Sequence, residues 1–139
     1  MDIETNQDNI ITLLPFLELQ NLLNTVVERE SKDDFLTFVR LMAPTLVSDW
    51  KMGKHIEVIS NKLNQLESGE IKRLMVFLPP RSSKSVICSK LFPAWYIGRH
   101  PEHEILTVSH SDQLSSDFGR SVRDLVNDEK FQSIFKGVS

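Results

Sequence analysis

A chain of 139 residues can build one core and little more. Its hydrophobic content of 40% and charged content of 25% are those of an ordinary globular protein. A net charge of −3 excludes nucleic-acid binding through bulk charge, and the single cysteine, Cys88, excludes an internal disulfide and agrees with a reducing compartment.

In chain order, the first nine residues are polar, and residues 1–18 are expected to be disordered or loosely ordered. The acidic start Met1-Asp2-Ile3-Glu4 is unlike a signal peptide, and no apolar stretch approaches a membrane span. A cytoplasmic protein with no membrane partner is therefore expected. Residues 19–69 read as a helical lead region. Leu19, Leu22, Leu23, Val26 and Val27 recur at helical spacing and predict a first helix after Pro15. Ser31-Lys32-Asp33-Asp34 resembles a helix start with Ser31 as its cap. Phe35, Phe38, Val39 and Met42 then share one apolar face, and Pro44 should end or kink that helix. A third helix carries Ile56, Ile59, Leu63 and Leu66 and stops at Ser68-Gly69.

The pattern changes after residue 70. Residues 72–78 form a nearly continuous apolar run, as expected of a parallel strand covered on both faces. A helix from Lys84 to Ile97 follows, with a kink at Pro93 and an end at Gly98. A second strand is predicted over residues 104–109. After it, Leu114, Phe118, Val122, Leu125 and Val126 line one helical face, with Arg120 and Arg123 opposite. This alternation predicts an α/β fold: an incomplete βαβα portion of a P-loop NTPase-type parallel sheet over residues 70–139. Two strands are too few to stand alone, so the chain is expected to be the front of a longer protein.

Between the first strand and its helix lies Pro79-Pro80-Arg81-Ser82-Ser83-Lys84-Ser85-Val86. The order strand, tight turn, Lys-Ser, helix is that of a phosphate-binding loop, although Leu78 and Ser83 stand where the usual motif has glycine. Lys84 would reach β- and γ-phosphates, Ser85 would ligate Mg²⁺, and the helix start would supply free N–H groups and dipole. Arg81 adds a second cation. Glycine normally provides positive φ here, so Ser83 should cost ~1 kcal/mol of backbone strain. The bland alternative is that Pro79-Pro80 only ends a strand and Lys84-Ser85 only begins a helix.

The run from Gly69 to Ser85 resembles the ATPase start of the tailed-bacteriophage terminase large subunit, the DNA-packaging motor. Phe92-Pro93-Ala94-Trp95-Tyr96-Ile97-Gly98-Arg99-His100-Pro101, Thr107-Val108-Ser109-His110-Ser111 and Arg120-Ser121-Val122-Arg123 are similar to its continuation. The likeness spans about residues 50–136. It implies ATP and Mg²⁺ as cofactors, with phosphates held by Pro80, Arg81, Ser82, Ser83, Lys84, Ser85 and Val86. Lys84 and Arg81 would be the catalytic cations, Ser85 the Mg²⁺ ligand and His55 an adenine contact. It also implies double-stranded viral DNA, the portal protein and procapsid, and a small terminase subunit as partners, with a homo-oligomeric ring during packaging in the host cytoplasm. The resemblance places a nuclease and the acidic water-positioning pair beyond this stretch, so the chain alone should bind nucleotide weakly and hydrolyse little. The alternatives are another P-loop motor, such as a helicase-like ATPase, and a non-catalytic remnant or interaction module.

Other residues have plainer expectations. Trp50 is expected in the core, and Cys88 as a small buried residue on the loop helix. His100-Pro101-Glu102-His103 reads as a surface loop, because Pro101 separates the possible metal ligands. Ser109-His110-Ser111 lacks an acid to orient its histidine. Arg120 and Arg123 are expected on a solvated face, the alternatives being contact with DNA phosphate or action in trans at a ring interface.

Overall fold

The computed structural model describes residues 7–138, with side chains described from Pro15. Among the described residues seven α-helices and one π-helical turn follow one another: α1 (Gln7–Asp33), α2 (Phe35–Leu46), α3 (Lys54–Glu67), α4 (Lys84–Val86), the π turn (Ile87–Leu91), α5 (Phe92–Arg99), α6 (Asp112–Val126) and α7 (Glu129–Ile134). Among the described residues there is no strand.

The α/β parallel sheet expected over residues 70–139 is therefore corrected to an all-helical fold. Residues 73–79 and 103–109 carry no regular secondary structure and form no ladder with each other. Leu74, Val76 and Leu78 pack against the core, while Met75 and Phe77 are 79% and 82% exposed. The apolar run thus has one covered face where a buried parallel strand has two. In the second segment Leu106 and Val108 are 89% and 83% exposed. An apolar run records a side-chain preference; a strand also needs a neighbouring backbone to satisfy its N–H and C=O groups.

Two boundaries differ from expectation at the front of the chain. Helix α1 begins at Gln7 and runs through Pro15, where a start after Pro15 was expected; residues 1–6 lie outside the described residues. Ser31 does not cap α2. It is fully buried in the last turns of α1, and its hydroxyl donates to the Val27 carbonyl at 2.6 Å. Asp34 is the cap instead: its carboxylate accepts from the Thr37 N–H and the Thr37 hydroxyl, both at 2.8 Å. Asn64 joins α3 to this cap, donating to Asp34 at 2.8 Å and accepting from the Phe35 N–H at 3.0 Å.

The core gathers the aromatic rings. Phe35 meets Trp95 and Phe92, while Phe38 meets Phe131 and Phe135, with centroids 5.2–6.2 Å apart. Such pairs add ~0.5–1.5 kcal/mol beyond burial. The Trp95 indole N–H donates to the Ser31 carbonyl at 3.0 Å, tying α5 to α1 inside the core. Residues 84–99 form one continuous helical run. Pro93 has no N–H, and the ladder widens just before it: the Phe92 N–H donates to the Ile87 carbonyl five residues back. Gly98 does not end this helix. It is buried within α5, and Arg99 completes the last turn.

Candidate functional site

Residues 73–78 lead the chain to Pro79-Pro80, and the loop then turns into α4. The Ser82 hydroxyl donates to the Pro79 carbonyl at 2.7 Å, closing the turn. Arg81 (φ 63°) and Ser83 (φ 59°, ψ 14°) both take the left-handed conformation. Ser83 therefore adopts the backbone geometry that glycine usually supplies, at a cost of about 1–2 kcal/mol. Left-handed residues of this kind turn successive N–H groups toward one side, making a concavity suited to an anion.

The first helical bond runs from the Ile87 N–H to the Ser83 carbonyl at 3.0 Å. The Ser83 side chain does not cap the helix. The amides at the helix start are thus left to face whatever enters the loop. A cavity of about 390 Å³ opens there, lined by Leu78, Pro79 and all of the expected phosphate-binding residues, Pro80 through Val86. Lys84 is half-buried, while Arg81 and Ser85 are exposed. Among the described residues no carboxylate pairs with Arg81 or Lys84. The cavity has two cations, hydroxyls and backbone donors, and no carboxylate in its lining. Such an arrangement suits holding an anion; it has no group to orient an attacking water.

No protein-family model, curated protein or solved structure matches this chain.

His55, expected at the adenine, lies in the first turn of α3 and not on the loop cavity. It lines a separate cavity of about 400 Å³ with Val58, Ile59, Lys62 and Leu74–Leu78. Leu78 borders both cavities, so His55 stands beside the segment that leads into the loop. Cys88 is half-buried on the π turn. Burial pushes its thiol above the usual range, the Lys84 charge opposing only in part. Trp50 packs against the core edge, and its indole donates to the Met52 sulfur at 3.2 Å.

Arg120 and Arg123 are exposed and lie beside Asp117 and Asp124 at 3.5 and 3.3 Å, which balances their charge on α6. Ser111 caps α6, its hydroxyl accepting from the Leu114 N–H at 3.3 Å. In Ser109-His110-Ser111 the second serine thus has a structural task.

A second polar cluster sits where α5 ends. The Glu67 carboxylate accepts from Arg99 Nε at 2.9 Å and lies 2.8 Å from His100 Nε2. Arg99 also donates to Asp33 and to the Lys32 carbonyl, at 3.0 and 2.6 Å, and its guanidinium lies 5.1 Å over the Trp95 ring. Burial alone would raise the Glu67 pKa, but the His100 and Arg99 bonds outweigh it and hold the carboxyl below its usual range. No sequence signal pointed to Glu67, because it lies 32 residues from Arg99.

Proposed function

We propose that the loop of residues 79–86 binds the phosphates of ATP with Mg²⁺, and that the chain carries the ATP-binding portion of a terminase-like DNA-packaging ATPase. The observation that carries this reading is the left-handed backbone at Ser83, directly before Lys84-Ser85, in a cavity lined by every residue expected to hold phosphate. Lys84 neutralises β- and γ-phosphate charge, Ser85 ligates Mg²⁺, Arg81 contacts the γ-phosphate, and the Ser82 and Ser83 backbone lines the phosphates. The proposal rests on the loop alone and invokes no sheet. Double-stranded DNA, the portal of a procapsid and a small terminase subunit are the partners that go with it, in a ring of copies in the host cytoplasm. With no carboxylate at the loop, this chain binds nucleotide without appreciable turnover.

Titration with a fluorescent ATP analogue and Mg²⁺ tests the reading. Saturable binding that Lys84→Ala weakens at least about tenfold supports it, since a lost charge-assisted contact costs ~1.5–3 kcal/mol. Binding left untouched by Lys84→Ala overturns it. A second reading, a non-catalytic interaction module, is favoured by the exposed apolar side chains of Met75, Phe77, Leu106 and Val108. Absence of any saturable nucleotide binding selects that reading.

A further inference from the structure

The geometry points to a divalent transition-metal site, zinc-like in its preferences, built by His100, Glu102 and His103 at the C-terminal end of α5. Pro101 was expected to keep the two histidines apart, and it does the reverse. It sits at the corner of a turn closed by the His103 N–H donating to the His100 carbonyl at 3.0 Å. Proline at this position pre-sets the turn, so the residues at its two ends face each other. The imidazole rings are stacked, 12° from parallel with centroids 5.0 Å apart. His100 Nδ1 and His103 Nε2 lie 3.8 and 3.7 Å from the same Glu102 oxygen. One ligand atom from each of the three residues falls within 4.8 Å of the others.

Tetrahedral coordination with bonds of about 2.0–2.1 Å sets ligand atoms roughly 3.3 Å apart. The carboxylate–imidazole distances need to close by about half an ångström to reach that, and the two ring nitrogens, within 4.8 Å of each other, by up to about 1.5 Å through rotation of the stacked rings. Glu102 and His103 are exposed and free to move by this much. Three protein ligands and an open fourth position are the pattern of a zinc site that retains a water.

The outer contacts argue for ligation beyond mere proximity. The Glu67 carboxylate oxygen lies 2.8 Å from His100 Nε2, a contact in which the oxygen accepts and the ring donates Nε2–H. That assigns the lone pair of neutral His100 to Nδ1, the nitrogen that faces Glu102. His103 Nδ1 lies 3.1 Å from the Tyr96 hydroxyl, which accepts its proton when Nε2 is the metal ligand. Each imidazole thus has a fixed partner on the nitrogen turned away from the site, as metal-ligating histidines almost always do.

Zn²⁺ titration of the chelator-treated, tag-free chain by calorimetry, with ¹⁵N spectra of the histidine rings, tests the site. One saturable Zn²⁺ is expected, with the metal-induced shifts on His100 Nδ1 and His103 Nε2. His100→Gln with His103→Gln should abolish it. Tyr96→Phe keeps every ligand and should weaken binding about 10–100-fold, as loss of an outer partner does. Helical circular dichroism establishes that each variant is folded. No saturable Zn²⁺ binding, shifts confined to His55 or His110, or a folded double variant that titrates like the parent would each overturn the proposal.

Discussion

The Phe135 ring lies directly across Gly98. A Cβ placed on Gly98 would fall 2.6 Å from the ring carbon Cδ2 and 2.7 Å from Cγ. Because Phe135 is itself almost fully buried and touches Phe38 and Phe131, the ring has nowhere to retreat. The helix carrying the candidate loop is thereby seated on the C-terminal end of the chain through a missing side chain.

Gly98→Ala should therefore destabilise the protein by about 1–3 kcal/mol, the cost of overpacking, even though alanine is the better helix former. Denaturant unfolding measures this. A variant as stable as the parent would show that the contact is not a tight one.

Ser83 makes the opposite case. Its left-handed φ of 59° is strained for any side chain and worst for a β-branched one. Ser83→Val should cost at least about 1–2 kcal/mol, whereas Ser83→Gly should leave stability equal or higher, the relieved strain offsetting the added freedom of the unfolded chain. Thermal melts of the pair rank the two directly; equal melting temperatures would contradict the loop geometry.

The corrected fold predicts an alternation along residues 74–78. Phe77→Ser should change stability by less than about 0.5 kcal/mol, because the ring is exposed. Val76→Ser should cost more, since Val76 packs on the core. Equal, large losses at both positions would instead indicate a strand covered on both faces.

Two carboxylates couple stability to acid. At Asp34, burial raises the pKa, but bonds from Thr37, Asn64 and the Leu36 backbone outweigh it and hold the group below its ordinary 3.8. Glu67 is likewise held below its ordinary 4.5. Both folded pKa values lie under the unfolded ones, so their stabilisation is full above the unfolded values and is lost as pH falls through the folded ones. The parent chain should lose stability more steeply below about pH 4.5 than Asp34→Ala or Glu67→Gln. At neutral pH Asp34→Ala should already have lost ~0.5–2 kcal/mol with its cap. Urea unfolding across the acid range checks both statements.

What local pattern controls was legible in the sequence. The apolar faces of α2, α3 and α6 follow from helical spacing alone, because periodicity decides which side chains can be buried together. The turn at residues 79–86 was legible for the same reason, since a short contiguous segment contains its own turn chemistry, and one cavity is lined by all of these residues; phosphate binding there is a proposal.

Only the tertiary structure decided the rest, since it depends on neighbours distant in the chain. Residues 72–78 and 104–109 looked like strands, but without a paired backbone they form no strand and stay partly bare. Ser31 looked like a cap, yet it is buried because its carbonyl receives the Trp95 indole. Gly98 looked like a helix end, yet Phe135 needs the space within the helix. His100 and His103 looked separated by proline, yet that proline forms the turn that stacks them, and Glu67 holds one ring from a different helix.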